Sequence, residues 1–275
     1  MIAKLTLAAL CALSLCVALR YEPARGRALP AARPQEGAAL RVMTWNVGYA
    51  ELEDDTRAHT KDLKAVAETI LSQDPDAVAL QELTGDEQLK ILLGHLRGRY
   101  RGAAARAAGA DRVEAVLVKD AQARFEEVPG GEKPAIAATF RPRAAAREIV
   151  LVSAHADAFS ASRRRAYTER VVDWARARTP ARTVFLAGDF NFELAAGDES
   201  HLYTDDLKHD GESYSYVLKF FRDLGRGAGD TAINDRRIDY VFASAEGVAL
   251  RRAEVLSGAV VGRMDHSPLV VEVSL

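Results

Sequence analysis

The chain has 275 residues, 48% of them hydrophobic and 28% charged, with a formal net charge of −2. That apolar content over that length is enough for a substantial core and speaks against a disordered or low-complexity chain. The first 33 residues hold five of the 37 basic side chains and one of the 39 acids, which leaves −6 on residues 34–275 and weighs against indiscriminate binding along a nucleic-acid backbone.

The only cysteines, Cys11 and Cys16, fall in the N-terminal apolar run, so the rest of the chain has no disulfide, thiolate nucleophile or cysteine metal site. That run, Met1–Arg20, has Lys4 followed by an apolar stretch from Leu5 to Leu19, the pattern of an export signal. It is short for a bilayer span of ~20 residues and lacks a clean Ala-x-Ala site, so a cleaved signal and an uncleaved membrane anchor both remain open. Tyr21–Ala39, rich in Pro, Arg and Ala, reads as a flexible linker, and residues 40–275 as one folded domain.

The body opens with Leu40-Arg41-Val42-Met43-Thr44-Trp45-Asn46-Val47-Gly48, a strand that runs out at an Asn and a Gly. Beyond an acidic loop (Glu51, Glu53, Asp54, Asp55), Leu63, Val66, Ala67, Ile70 and Leu71 make one stripe of an amphipathic helix that Pro75 ends. Asp76–Glu82 is a second buried strand ending on a carboxylate, and a helix with Leu89, Leu92, Leu93 and Leu96 inward follows. Residues 97–112, with five arginines and one aspartate, read as a solvated basic loop. Val113–Lys119 and Pro134–Phe140 read as strands, and Glu148–His155 as a strand ending in a histidine. A helix from about Ser160 to Ala177 places Tyr167, Val171, Trp174 and Ala175 on one face, with Arg163-Arg164-Arg165 on a solvated face.

Val184-Phe185-Leu186-Ala187-Gly188 is an apolar strand interrupted by Asp189-Phe190-Asn191. Residues two apart share a face in extended chain, so Asp189 and Asn191 lean to the same side. A plain Gly-Asp turn with a structural Asn shows the same pattern, and the other strand ends decide between the two. After a polar segment, Glu193–Gly211, comes a helix with Tyr214, Val217, Leu218 and Phe221 inward. Asp239 is embedded in the apolar run Ile238–Phe242, a costly place for an acid with no partner. Arg237 reads as solvated, Gly247–Leu256 as a strand, and Asp265-His266 precedes the last strand, Leu269–Val273. His59, His95, His201 and His209 read as surface or packing residues.

Collected, the strand ends carry Asn46, Glu82, His155, Asp189, Asn191, Asp239, Asp265 and His266. An all-oxygen-and-nitrogen set dominated by carboxylates and amides suits a hard cation, Mg²⁺ or Mn²⁺, rather than zinc. The ordered set Thr44-Trp45-Asn46, Gln81-Glu82, Ser153-Ala154-His155, Gly188-Asp189-Phe190-Asn191, Arg237–Phe242 and Asp265-His266 resembles the endonuclease/exonuclease/phosphatase superfamily, from about Arg41 to the C-terminus. The resemblance implies a DNase I-like, four-layered α/β/β/α sandwich of two mixed β-sheets flanked by helices. It implies metal binding by Glu82, with Asn46 beside it and Asp265 close by. It also implies that Asp189 polarises or deprotonates water, Asn191 holds the phosphate or the metal-bound shell, and Asp239 orients and charges His266 on the scissile phosphate. His155 is implied as a second catalytic histidine, acting as acid toward the leaving oxygen or as a phosphate donor; the general base is either Asp189 or His266. In-line hydrolysis needs that combination of activated water, Lewis acid and donors to the charged oxygens.

The expected activity is Mg²⁺-dependent phosphodiester hydrolysis by an exported (periplasmic or secreted) or N-terminally anchored monomer. Nucleic acid is the leading substrate. A phospholipid head group or small phosphate ester is the alternative, and a silent binding module the third reading. Two departures from the resembled family put the substrate in play: Asp111–Lys119 stands where many members read Gly-Asn/Val-Ala-Ile-Leu-Ser, and Ala154-His155-Ala156-Asp157 where the usual reading is Thr-His-Leu.

Overall fold

A computed structural model describes residues 39–48, 56–142, 145, 147–194, 203–244, 247–260 and 262–275, with side chains from residue 62 onward in the first helix. The segments expected to be an export signal and a linker, up to residue 38, and the acidic loop lie outside the described residues. Among those described, no helix is long and apolar enough to cross a membrane.

Period-two alternation lays down the first sheet. β1 (Ala39–Asn46) pairs in parallel with β2 (Ala77–Leu83), which pairs antiparallel with β4 (Val113–Val118). β3 (Arg101–Arg106) forms one edge, and β12 (Leu269–Ser274) and β11 (Ala249–Val255) complete the other side, giving the order β11-β12-β1-β2-β4-β3. The second sheet runs β5 (Arg124–Val128), β6 (Ala135–Phe140), β7 (Ile149–His155), β8 (Thr183–Asp189), β10 (Asp239–Ser244) and β9 (Phe221–Asp223), in that spatial order. Each sheet is mixed, because β1–β2 and β7–β8 are parallel while the other pairs are antiparallel.

Three apolar clusters define the four layers. Leu40, Val42, Ala77, Ala79, Leu151, Phe185, Ala187 and Val241 fill the space between the sheets. Met43, Trp45, Val78 and Leu80, on the opposite parity, meet Leu63, Val66 and Ile70 of α1 (Thr56–Gln73) and Leu89 and Leu92 of α2 (Gly85–His95). Val150, Val152, Leu186 and Phe242 meet Tyr167 and Val171 of α3 (Ala161–Arg176) and Val217 of α4 (Leu207–Val217). Each large side chain buried this way contributes about 1.5–3 kcal/mol.

Several sequence expectations are corrected. The basic loop 97–112 contains β3, whose Arg-Gly-Ala-Ala-Ala-Arg has no β-branched or aromatic residue to announce a strand. β5 and β9 were not expected either; both are short, charged edge strands, the composition that discourages further pairing. α4 stops at Val217, so Leu218 is 38% exposed and Phe221 belongs to β9. Arg164 is fully buried, not solvated, with Nε and Nη2 each 2.8 Å from Asp210. Arg237 gives both oxygens of Asp223 a hydrogen bond and lies over the Tyr240 ring, so it too is committed inside the fold.

β8 approaches β7 through Gly188, whose φ is +145° and whose added Cβ would lie 1.9 Å from the Ala154 carbonyl oxygen. Gly188→Ala is expected to cost at least about 3 kcal/mol, from backbone strain plus overlap. Urea unfolding checks this, and an unchanged midpoint would contradict it.

Candidate active site

The inter-sheet face changes character along the strands. Leu40-Val42, Ala77-Ala79, Ile149-Leu151, Phe185-Ala187 and Ala243-Val241 are apolar, and the same parity continues into Thr44-Asn46, Gln81, Ser153-His155, Asp189 and Asp239. The first polar layer is a self-contained network. The Thr44 hydroxyl donates to Gln81 Oε1 at 3.4 Å, Gln81 Nε2 donates to Ser153 Oγ at 2.9 Å, and Ser153 Oγ donates to the Leu80 backbone carbonyl at 3.0 Å. The catalytic candidates stand on this layer.

The eight candidates meet in one place. The Asn46 amide donates to Glu82 Oε1 at 3.1 Å and to Asp189 Oδ2 at 3.0 Å. Asp189 Oδ1 accepts the Asn191 backbone N–H at 2.9 Å, and Asp189 Oδ2 lies 3.8 Å from Nε2 of both His155 and His266. His155 Nε2 is also 3.6 Å from Glu82, and His266 Nε2 is 3.9 Å from Asp265. Asn191 Nδ2 donates to the Ala156 carbonyl at 3.3 Å.

Two of these positions depend on backbone that alternation does not describe. Val78 and Leu80 face α1 and α2, and so does Leu83, so the parity slips by one residue within β2. Glu82 is the extra residue of that irregularity, at φ +63°, and the bulge turns its carboxylate to the cleft. Gly48 leaves the room it needs: a Cβ there would lie 2.1 Å from Glu82 Oε2. Arg112 holds the bulge from outside, reaching the Glu82 carbonyl at 3.3 Å and Thr84 Oγ1 at 2.9 Å. Asn191 is the second case, at φ +51°.

Each histidine has an acid behind it. His266 Nδ1 is 2.7 Å from Asp239, whose backbone N–H donates to Thr231 Oγ1. Burial alone would push His266 down, but Asp239, with Asp189 and Asp265, pushes it up to about 10. His155 Nδ1 is 3.2 Å from Glu114, its backbone N–H donates to the Tyr167 hydroxyl at 3.0 Å, and Glu114 outweighs burial to raise it. Sequence reading missed Glu114 as a site residue. The signal was present, since Glu114 shares the inward parity of Val116 and Val118 in a strand buried throughout. The Ala232–Arg236 hairpin sets the last segment: its Ile233 N–H donates to the Asp265 carbonyl, and Ala232 bridges His266.

The cleft suits a cation. Burial, with the neighbouring charges of Glu82 and Asp189, raises Asp265 despite His266 beside it. A divalent ion relieves that crowding with hard oxygen ligands. Asp189, Asp239 and His266 also offer ligand atoms within 4.8 Å of one another. However, the 2.7 Å hydrogen bond commits Asp239 to His266, so Glu82 and Asp265 are the better free pair. Asn46 Oδ1 accepts from Gly48 N–H at 2.9 Å and keeps a second lone pair. Divalent affinity is therefore expected to fall as pH drops through the raised Asp265 pKa, because the ion must displace a proton that stays on to higher pH than usual. Calorimetry with Mn²⁺ at about pH 5 and about pH 7.5 checks this; equal affinities would contradict it.

A cleft at the strand ends of a double-sheet sandwich, with three carboxylates and two acid-backed histidines, defines a hydrolase site. The chain belongs to the endonuclease/exonuclease/phosphatase family, whose profile matches residues 43–261 and whose members hydrolyse phosphate esters, generally with a divalent metal. A family protein from Bacteroides vulgatus superposes with a TM-score of 0.68 at 16% identity, over 86% of this chain and 99% of that one. A mannosyl-6-phosphatase from Bacteroides thetaiotaomicron gives 0.68 at 18% identity, over 86% and 100%. The human Nocturnin catalytic domain with bound sulfate gives 0.65 at 19% identity, over 86% and 94%. At these identities the likeness carries the fold. No curated relative matches in sequence.

Proposed function

We propose that the chain is a Mg²⁺-dependent phosphodiesterase that cleaves nucleic-acid strands by in-line attack of water. The observation that carries this is Asp189 Oδ2, 3.8 Å from two imidazole nitrogens, each backed by an acid. A carboxylate between two donors is the arrangement that takes a proton from water while the donors hold the phosphate. Glu82 and Asp265, beside Asn46, would hold the ion, with Mn²⁺ as the alternative, and it supplies Lewis-acid neutralisation of the phosphate charge. Asp189 takes the proton of the attacking water. The Asn191 amide and the His266 imidazolium donate to the non-bridging oxygens, and His155 gives its proton to the leaving oxygen. A phosphomonoester and an alcohol result.

Nucleic acid is favoured by exposed rings near the cleft. Phe159, four residues past His155, is 66% exposed and stands edge-on to Tyr203, whose own face lies 4.5 Å from the Arg236 guanidinium. Such rings stack bases of any sequence. The likeness to a mannosyl-6-phosphatase favours a second reading, hydrolysis of a small phosphate monoester. Export by residues 1–20 belongs to the same proposal. Purified protein with Mg²⁺ is tested on single-stranded DNA, RNA, sphingomyelin vesicles and hexose phosphates. Cleavage of DNA or RNA supports the proposal, and phosphate or phosphocholine release with intact nucleic acid overturns it.

A further inference from the structure

Near His155, the β5–β6 loop and the first half of α3 line an open cavity of about 390 Å³. Its charged lining is Lys133, Arg163 and Arg170 against Glu132 and Asp157. Asp157 is already satisfied: Oδ2 takes Arg163 Nε at 2.8 Å, and Oδ1 takes the N–H groups of Phe159 and Ser160. Lys133 and Arg170 are different. Their hydrogen bonds are long ones to backbone oxygens, at 3.5 Å to Ala156 and 3.5 Å to Gly130, and among the described residues neither forms an ion pair. Glu132, also in the lining, is exposed and in ion-pair contact with neither, so two unpaired cations face the cavity and mark a place for an anion.

The cavity adjoins the catalytic centre through two shared groups. The Ala156 carbonyl that Lys133 approaches is the one that accepts from Asn191 Nδ2 at 3.3 Å. Tyr167 lines the cavity, and its hydroxyl accepts the His155 N–H. We infer that Lys133 and Arg170 form a second phosphate subsite, which receives a phosphate neighbouring the scissile one. This rests on the phosphoesterase reading of the centre. The anion is either the next phosphate of a nucleotide strand or the distal phosphate of a small bisphosphorylated ester.

Binding is read first without turnover. In EDTA, inorganic phosphate is titrated into isotope-labelled protein while the Gly130 and Gly131 amide resonances are followed. Saturable shifts in the wild type that vanish in Lys133→Gln/Arg170→Gln are expected, and their absence in the wild type overturns the subsite whatever the enzyme does. Kinetics then compare bis(p-nitrophenyl) phosphate, a thymidine dinucleotide with and without a 5′-phosphate, and a hexose bisphosphate with its monophosphate. The double variant is expected to lose about tenfold in kcat/KM, through KM, on whichever pair carries the preferred second phosphate. It keeps its rate on bis(p-nitrophenyl) phosphate. Equal losses on all substrates, or none, overturn the subsite. Phosphate-induced shifts without any ester hydrolysis would instead overturn the catalytic reading and leave the anion site standing.

Discussion

Asp189→Asn is expected to lower kcat by about a thousandfold, the scale of losing a positioned general base. The two side chains have the same shape, but the amide has one oxygen for the two roles Asp189 fills. One oxygen accepts the Asn191 N–H and the other the Asn46 amide, at 2.9 and 3.0 Å. The variant therefore sets one N–H against another inside a buried site, at a cost of about 1–3 kcal/mol. Circular dichroism and thermal unfolding separate that loss from catalysis. A folded Asp189→Asn with near-normal kcat would remove Asp189 from the chemistry.

The second large effect concerns the charge on His266. With Asp239 at 2.7 Å its pKa stands at about 10, so the imidazolium persists through neutral pH, as the proposed role of donor to phosphate requires. Asp239→Asn removes the counter-charge and leaves the burial, which acts in the opposite direction. Asp189 and Asp265 still act upward in part, but His266 then loses its proton at lower pH than in the wild type, and the alkaline limb of activity moves down with it. A loss of about a hundredfold at pH 8, smaller at pH 6, is expected. Identical pH profiles would rule out His266 as a charged donor. The same group predicts stability in metal-free protein. Because the folded pKa lies above the unfolded one, the contribution is fully present below about pH 6.5 and is lost as pH rises through about 10. Asp239→Asn should flatten that decline in thermal midpoint.

Much of the fold and most of the site could be read from the sequence, for a definite reason. The inter-sheet parity that buries Val42, Leu151 and Ala187 continues to Asn46, His155 and Asp189, so alternation alone points these side chains at one another. Glu82 was found by its position at a strand end, but its route into the cleft was not legible, since strict alternation would aim it at α1 and α2. The bulge at φ +63° and the space left by Gly48 are backbone facts. Glu114 was overlooked because one acid in an apolar strand signals nothing until its neighbour across the sheets is known. Arg164 shows the same limit in reverse: within a run of three arginines it looked solvated, and only Asp210, forty-six residues on, makes it a core residue. β3, β5 and β9 escaped because edge strands are selected for charge and small residues, which blur the apolar pattern.

The most direct test of the central claim measures phosphodiester turnover and Mn²⁺ binding on the same preparations of wild type and Glu82→Gln. Turnover by the wild type with Mg²⁺, its loss on adding EDTA, and loss of both turnover and tight ion binding in Glu82→Gln while the fold is kept are the expected results. Turnover that survives EDTA, or a Glu82→Gln variant that binds Mn²⁺ and cleaves like the wild type, would contradict that claim.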